Sequence, residues 1–152
     1  MKRKSLEGNT CAVARSLDVI GDWWSLLIIR DALGGIRRFS EFQRNLGLAK
    51  NILSTRLKGM VEQGIMTVEA ASDGSAYREY VLTEKGKALM PVLAALSQWG
   101  REHMFEPGEI GSVLLDVKHR RPLRRIELLA EDGRVLQPEE VVLATRAVHA
   151  AK

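Results

Sequence analysis

Residues 39–65 read FSEFQRNLGLAKNILSTRLKGMVEQGI, and the folding of this stretch decides the architecture of the chain. From Ala49 onward, Leu53, Leu57 and Met60 recur at helical spacing with Ile52 and Val61 beside them, which predicts one buried stripe. The opposite stripe holds Lys50, Asn51, Ser54, Thr55 and Lys58, that is, two ammonium groups, an amide and two hydroxyls. Ahead of it, Phe39 and Phe42 form the apolar side of a shorter helix, in which Ser40 and Gln43 stand at capping-box spacing. Gly47 turns the chain between the two. The expectation is a helix, a tight turn, and a second helix over about residues 49–63 whose outward side is polar.

The flanking segments extend the pattern. In CAVARSLDVIG, Val13, Leu17 and Ile20 fall at helical spacing and Gly21 closes the helix. In DWWSLLIIRDAL, Asp22 is placed as an N-cap, Trp24, Leu27 and Ile28 face inward, and Gly34-Gly35 ends the helix. After Gly64, IMTVEA reads as a strand, SDGSA as a turn centred on the hairpin dipeptide Asp73-Gly74, and YREYVL as the return strand. Thr83 then caps a long helix reaching to about Met104, with Pro91 either kinking it or ending a one-turn lead-in. Helix, tight turn, helix and hairpin in this order predict an α+β fold of the winged helix-turn-helix type.

Composition bounds the function. With 152 residues, 45% hydrophobic and 28% charged, the chain is long enough for a self-sufficient core and is not compositionally disordered. Its longest apolar run, Leu26 to Ile29, is too short for a bilayer, and no apolar signal segment follows the basic start MKRKSLEGNT. The expectation is a soluble, cytoplasmic protein without a membrane partner. The single cysteine, Cys11, excludes an internal disulfide and a four-cysteine zinc site, and His103, His119 and His149 lack metal-ligand spacing. GGIRR lacks the glycine spacing and the Lys-Ser/Thr pair of a phosphate-binding loop. Asp18, Asp22 and Asp31 sit near helix ends and would rarely converge. No catalytic residues, metal site or cofactor are expected.

The net charge of +4 is unevenly spread. Residues 1–64 hold 11 Lys/Arg against 6 Asp/Glu, whereas residues 106–152 hold 8 of each, so the surplus lies with the outwardly polar helix. That asymmetry suits a polyanion. In a helix-turn-helix the second helix enters the major groove of double-stranded DNA. There Asn51 would pair with adenine, Ser54 and Thr55 would bond bases or phosphates, and Lys50 and Lys58 would neutralise phosphate. Arg37, Arg38 and Ser40 stand before and at the start of the first helix of the pair, where backbone contacts are common, and Arg78 lies beside the hairpin tip, within reach of the minor groove. The competing reading is a small-molecule-binding or protein-interaction domain with no DNA activity, because a polar helix face is often merely solvated.

The motifs Ala-Arg-x-Leu after Cys11, Gly-Asp-x-Trp, Arg-Arg-Phe-Ser, Leu-x-x-Arg-Leu and Leu-Thr-x-x-Gly together resemble the HxlR-type winged-helix regulators of bacteria, relatives of the MarR group. The resemblance covers about residues 11–104. It implies a dimeric, sequence-specific DNA-binding transcriptional regulator with no enzymatic activity. Trp23 departs from the pattern, which often has a basic or polar residue there. In some such regulators the cysteine at the place of Cys11 senses oxidants or electrophiles, and a thiol near a helix N-terminus with Arg15 one turn on suits that role. A small-molecule effector is the other option.

The dimer reading has support in the residues themselves. Leu89, Val92, Leu93, Leu96 and Trp99 form a stripe wider than a small winged domain needs, and Val13 and Leu17 would be a second contributor. A symmetric dimer would present two reading helices to a palindromic operator. The expected division is a DNA-binding and dimerisation domain over residues 1–105 and a small β-rich extension over 106–152. In the extension, SVLLDV, LRRIELLA and RVLQ read as short strands with Asp132-Gly133 as a hairpin turn, and PEEVVLATRAV as a strand or short helix. The extension carries no cysteine pair, so the zinc knuckle implied by some relatives is excluded. Its basic run Lys118, His119, Arg120, Arg121, Arg124 and Arg125 is expected to be solvated, or to add a phosphate contact.

Overall fold

The computed structural model describes residues 4–146. Part of the basic start, His149 and the end of the PEEVVLATRAV segment lie outside the described residues. The chain forms two compact units, one up to Leu93 and one from Ala94.

The first unit is helical with a two-stranded wing. Helix α1 spans Ala12–Ile20, α2 Trp23–Leu33, α3 Phe39–Leu46 and α4 Lys50–Glu62. Strands β1 (Met66–Ala70) and β2 (Arg78–Leu82) pair antiparallel with Met66 opposite Leu82 and Ala70 opposite Arg78. Asp22 caps α2 as expected, its carboxylate accepting the backbone N–H groups of Trp24 and Ser25 at 2.9 Å. Gly47 ends α3 in the left-handed region at φ 66°. Ile28, Ile29, Phe42, Leu53 and Leu57 are fully buried, so α2, α3 and α4 share one core, with Met60, Ile65 and Met66 extending it toward the wing.

One expectation is corrected and two are made specific. Ser40 does not open a capping box: α3 begins at Phe39 with Arg38 in the cap position, which leaves Ser40 inside the first turn. The turn of the wing falls on SDGSA as expected, with one further residue at each end. Its loop runs over residues 71–77, folded by the Ser75 N–H on the Asp73 carboxylate at 2.9 Å and by the Ala71 N–H on the Tyr77 carbonyl at 3.1 Å. Of the two options for Pro91 the one-turn lead-in is found: α5 (Glu84–Lys87) precedes α6 (Met90–His103), and Pro91 sits in the first turn of α6, where its missing N–H costs nothing.

Thr83 caps α5 and also fastens it to the end of α4. Its hydroxyl donates toward the Gly64 carbonyl at 2.5 Å and accepts the Gly86 N–H at 3.2 Å. Gly86 is buried there, and a Cβ at this position would lie 2.3 Å from the Ile65 carbonyl oxygen. Only glycine permits that approach.

The second unit contains most of α6 and the extension. Strands β3 (Leu128–Leu129) and β4 (Val135–Leu136) are two residues each, joined through Asp132-Gly133 with Gly133 at φ 89°. SVLLDV contributes only the bridge between Leu115 and Pro122, and Pro138–Glu140 form a single 3₁₀ turn. The Gln98 side chain clamps the extension to α6, donating to the Arg124 carbonyl at 2.9 Å and accepting the Ile126 N–H at 2.8 Å.

Candidate nucleic-acid interface

Helix α4 turns the residues of its two stripes as the spacing predicts. Leu53, Leu57 and Met60 are buried, while Lys50, Asn51, Ser54, Thr55 and Lys58 are exposed. The Thr55 hydroxyl bonds back to the Asn51 carbonyl at 2.9 Å, which satisfies it within the helix and leaves the Asn51 amide group outward and unengaged by it. No side chain caps α4 at Ala49, so its first N–H groups face outward without a side-chain acceptor.

The orientation of α4 is fixed from both sides. Asp31, buried in α2, accepts the Asn45 amide of α3 at 2.7 Å and the Arg30 guanidinium at 2.9 Å. The Gln43 amide donates to the Leu48 carbonyl across the turn at 3.3 Å. Arg56 of α4 reaches the Asp22 carboxylate at 3.5 Å. Burial pushes Asp22 up, but the Ser25 hydroxyl, the Ser25 and Trp24 N–H groups and Arg56 together outweigh it, and its pKa falls below the usual carboxylate value.

The two arginines before α3 are engaged by the wing. The Arg37 guanidinium pairs with Glu79 of β2, and the Tyr80 N–H donates to the Arg37 carbonyl at 2.7 Å. Glu79 is buried and accepts the Ser72 N–H at 3.2 Å and the Ser72 hydroxyl at 3.0 Å; these bonds, more than Arg37, lower its pKa. Arg38 pairs with Asp73, donates to the Ser75 hydroxyl at 3.4 Å and lies 5.2 Å from the Tyr77 ring centroid. Asp73 is held down to about 2 by the Ser75 N–H and hydroxyl and by Arg38.

The basic residues thus fall into two groups. Arg37, Arg38 and Arg56 are tied to carboxylates, whereas Lys50, Lys58, Arg44 and Arg78 are exposed and make no ion pair among the described residues. Arg44, on the last turn of α3, was missed in the sequence, although it stands four residues after Ser40 on the exposed side of that helix. The Arg56 and Glu79 contacts carry no local sequence signal, since each partner lies more than thirty residues away.

Elsewhere, Cys11 is half-buried at the N-cap of α1, with its N–H bonded to the Asn9 side chain at 2.8 Å. Val13, Leu17, Val92, Leu96 and Trp99 are exposed, whereas Leu89 and Leu93 pack against the core of the first unit. Trp23 is 86% exposed. No helix among the described residues is long and apolar enough to cross a membrane.

Residues 19–107 match the family model described as HxlR-like helix-turn-helix. An uncharacterized HTH-type transcriptional regulator of Mycobacterium tuberculosis is 41% identical over 96 residues, which cover 63% of this chain and 61% of that protein. The chain therefore spans about three-fifths of the length of this curated relative. The crystal structure of the candidate transcription factor PA1607 superposes with a TM-score of 0.89 at 46% identity, covering 94% of this chain and all of the other. The redox regulator HypR in its reduced form superposes with a TM-score of 0.54 at 30% identity, covering 62% of this chain and 94% of its own.

Proposed function

The chain belongs to the HxlR-like helix-turn-helix family, and from that premise we propose that it is a transcriptional regulator that binds a palindromic operator as a homodimer. The observation that carries this reading is the outward face of α4: an amide at Asn51, hydroxyls at Ser54 and Thr55 and cations at Lys50 and Lys58 that make no ion pair among the described residues, on a helix held by its buried stripe. Asn51 reads an adenine edge, Lys50 and Lys58 hold phosphates, and Arg78 reaches the minor groove from the wing. Ser40 and Arg44 on α3 border the same contact. Arg37 and Arg38 lie at its margin, where they meet phosphate only by sharing their guanidinium groups with Glu79 and Asp73.

The dimer is formed by α1 and α6 through Val13, Leu17, Val92, Leu96 and Trp99, while Leu89 and Leu93 pack against the core of the first unit. Exposed apolar side chains at helical spacing on two helices support this contact. Residues 1–105 serve as the DNA-binding and dimerisation domain, residues 106–152 as an appended extension, and the protein acts in the cytoplasm without catalysis. Cys11, at a helix N-terminus, modulates binding by oxidation; the likeness to a redox regulator supports that assignment.

The test is fluorescence anisotropy on DNA upstream of the gene and its neighbours, over a salt series with nonspecific competitor, before and after diamide. Competitor-resistant binding with a steep salt slope is expected. Binding that competitor erases at every site would remove operator recognition. Diamide loss that persists in Cys11→Ser would remove the redox role.

A further inference from the structure

A cavity of about 610 Å³ lies wholly within the second unit, between α6 and the extension. That volume is in the range that takes a small organic molecule. Its walls combine three kinds of surface. Leu114, Leu123 and Ile126 supply an apolar side. Trp99 and His103 supply an aromatic one, their ring centroids 5.3 Å apart and tilted by 47°. Arg101, Arg125 and Glu102 supply charge, and the charges do not cancel. Arg125 is answered by Glu102 at 3.6 Å, which His103 also approaches at 4.0 Å. Among the described residues the Arg101 guanidinium meets only a neutral group, the Ser112 carbonyl, at 2.6 Å. A guanidinium with one donor spent on a carbonyl keeps further donors and its full charge for an anion.

We propose that this cavity is a binding site for a small apolar anion, a carboxylate with an aromatic or aliphatic body, whose charge is met by Arg101 and whose body lies against Trp99 and the Leu114, Leu123 and Ile126 wall. The Gln98 clamp holds the extension against α6 before any ligand arrives, so the site is preformed. Arg101 and the cation of Arg125 reject a cationic ligand, and the apolar wall rejects a bare inorganic anion. The proposal stands on the second unit alone and holds whether or not α4 binds DNA.

Isothermal titration calorimetry on the full chain tests it, with naphthalene-2-carboxylate and its neutral carboxamide as probes. Saturable binding of one carboxylate per chain, about tenfold tighter than the carboxamide, is the expected result for one charge-assisted contact. Arg101→Gln should remove that tenfold for the carboxylate and leave the carboxamide unchanged, which also shows that the cavity is intact. Arg101→Lys should retain most of the discrimination, and Leu123→Trp, which fills the cavity, should abolish both. Equal binding of acid and amide, equal weakening of both by Arg101→Gln, or no saturable binding overturns the proposal. So does binding that appears only on dilution to monomer, because a second copy would then occupy the cavity.

Discussion

The Arg37 guanidinium lies 3.4 Å from the buried Glu79 carboxylate and so ties the turn before α3 to the second strand of the wing, 42 residues later. The backbone bond from Tyr80 to the Arg37 carbonyl acts between the same two segments, and the Arg38–Asp73 pair ties the turn to the wing loop. The wing is a two-stranded hairpin, which is marginal in isolation. The latch thus adds to the core packing of Met66 and Leu82 in holding the wing against the helices.

Removing the charge from Glu79 should loosen the wing and little else. In Glu79→Gln, amide hydrogen exchange should rise over residues 66–82 and stay unchanged in α2 and α4. Arg37→Gln should match it, and the double variant should fall short of the sum of the two, as expected for direct partners. Strict additivity would show that the pair does not couple the elements.

Acid should release the same contacts. Asp73 titrates near 2, and Glu79 and Asp22 lie below their ordinary values. Each folded value lies below the unfolded one, so the stabilisation is present above the unfolded pKa and is lost as pH falls through the folded one. The urea midpoint should hold from neutral pH to about 5 and drop steeply between about 4 and 2. Arg38→Gln should shallow that drop. An acid limb unchanged in Arg38→Gln would mean that the pair contributes no linkage.

On the reading face of α4, Asn51→Ala should cost about 1–3 kcal/mol at one base position and little at the others. Lys58→Ala should weaken all sequences alike and lower the salt slope by about one. Arg56→Gln, whose partner is Asp22, should leave the salt slope as it was. Anisotropy titrations across a mutated operator set distinguish the three, and an isotherm unaffected by the first two would remove α4 from the mechanism.

For the proposed dimer, Leu96→Glu is the informative change, since Leu96 is 49% exposed whereas Leu93 packs against the core of the first unit. Light scattering should show monomers for Leu96→Glu with the thermal transition of the fold retained. Leu93→Glu should lower that transition as well. A Leu96→Glu protein that stays dimeric would move the contact elsewhere.

Gly86→Ala should destabilise the first unit by about 1–3 kcal/mol, the cost of overpacking against atoms that cannot yield. The obstruction is backbone, the Ile65 carbonyl, with the Leu82 Cδ2 atom at 2.9 Å. A denaturant midpoint equal to that of the parent chain would show that the hairpin exit shifts freely.

What could be read from the sequence was whatever is decided within one turn or one period. The Asp22 cap, the Gly47 turn, the buried stripe of α4 and the Thr83 cap are local, and each is found where expected. Ser40 failed as a cap because its spacing to Gln43 was right but the helix starts two residues earlier than a Ser40 cap requires, at Phe39 with Arg38 in the cap position. Leu93 and Leu96 share a helical stripe, and periodicity cannot tell which of them meets its own core. Among the candidate contacts, the exposure of Lys50, Asn51 and Lys58 followed from the pattern. The engagement of Arg37 and Arg38 did not, because it rests on pairing across the wing.

The division of the basic residues into paired and unpaired sets bears on rates as well as on affinity. An arginine held against a carboxylate acts at a distance as a dipole, whose field decays faster than that of a lone charge. On the proposed DNA-binding reading, the long-range pull on an approaching polyanion would come from Lys50, Lys58, Arg44 and Arg78, and these residues would set how fast an encounter forms and how steeply salt slows it. Arg37 and Arg38 contribute little to that approach. On the same reading their influence would begin after contact, in how long the wing stays in place and hence in the lifetime of the proposed complex.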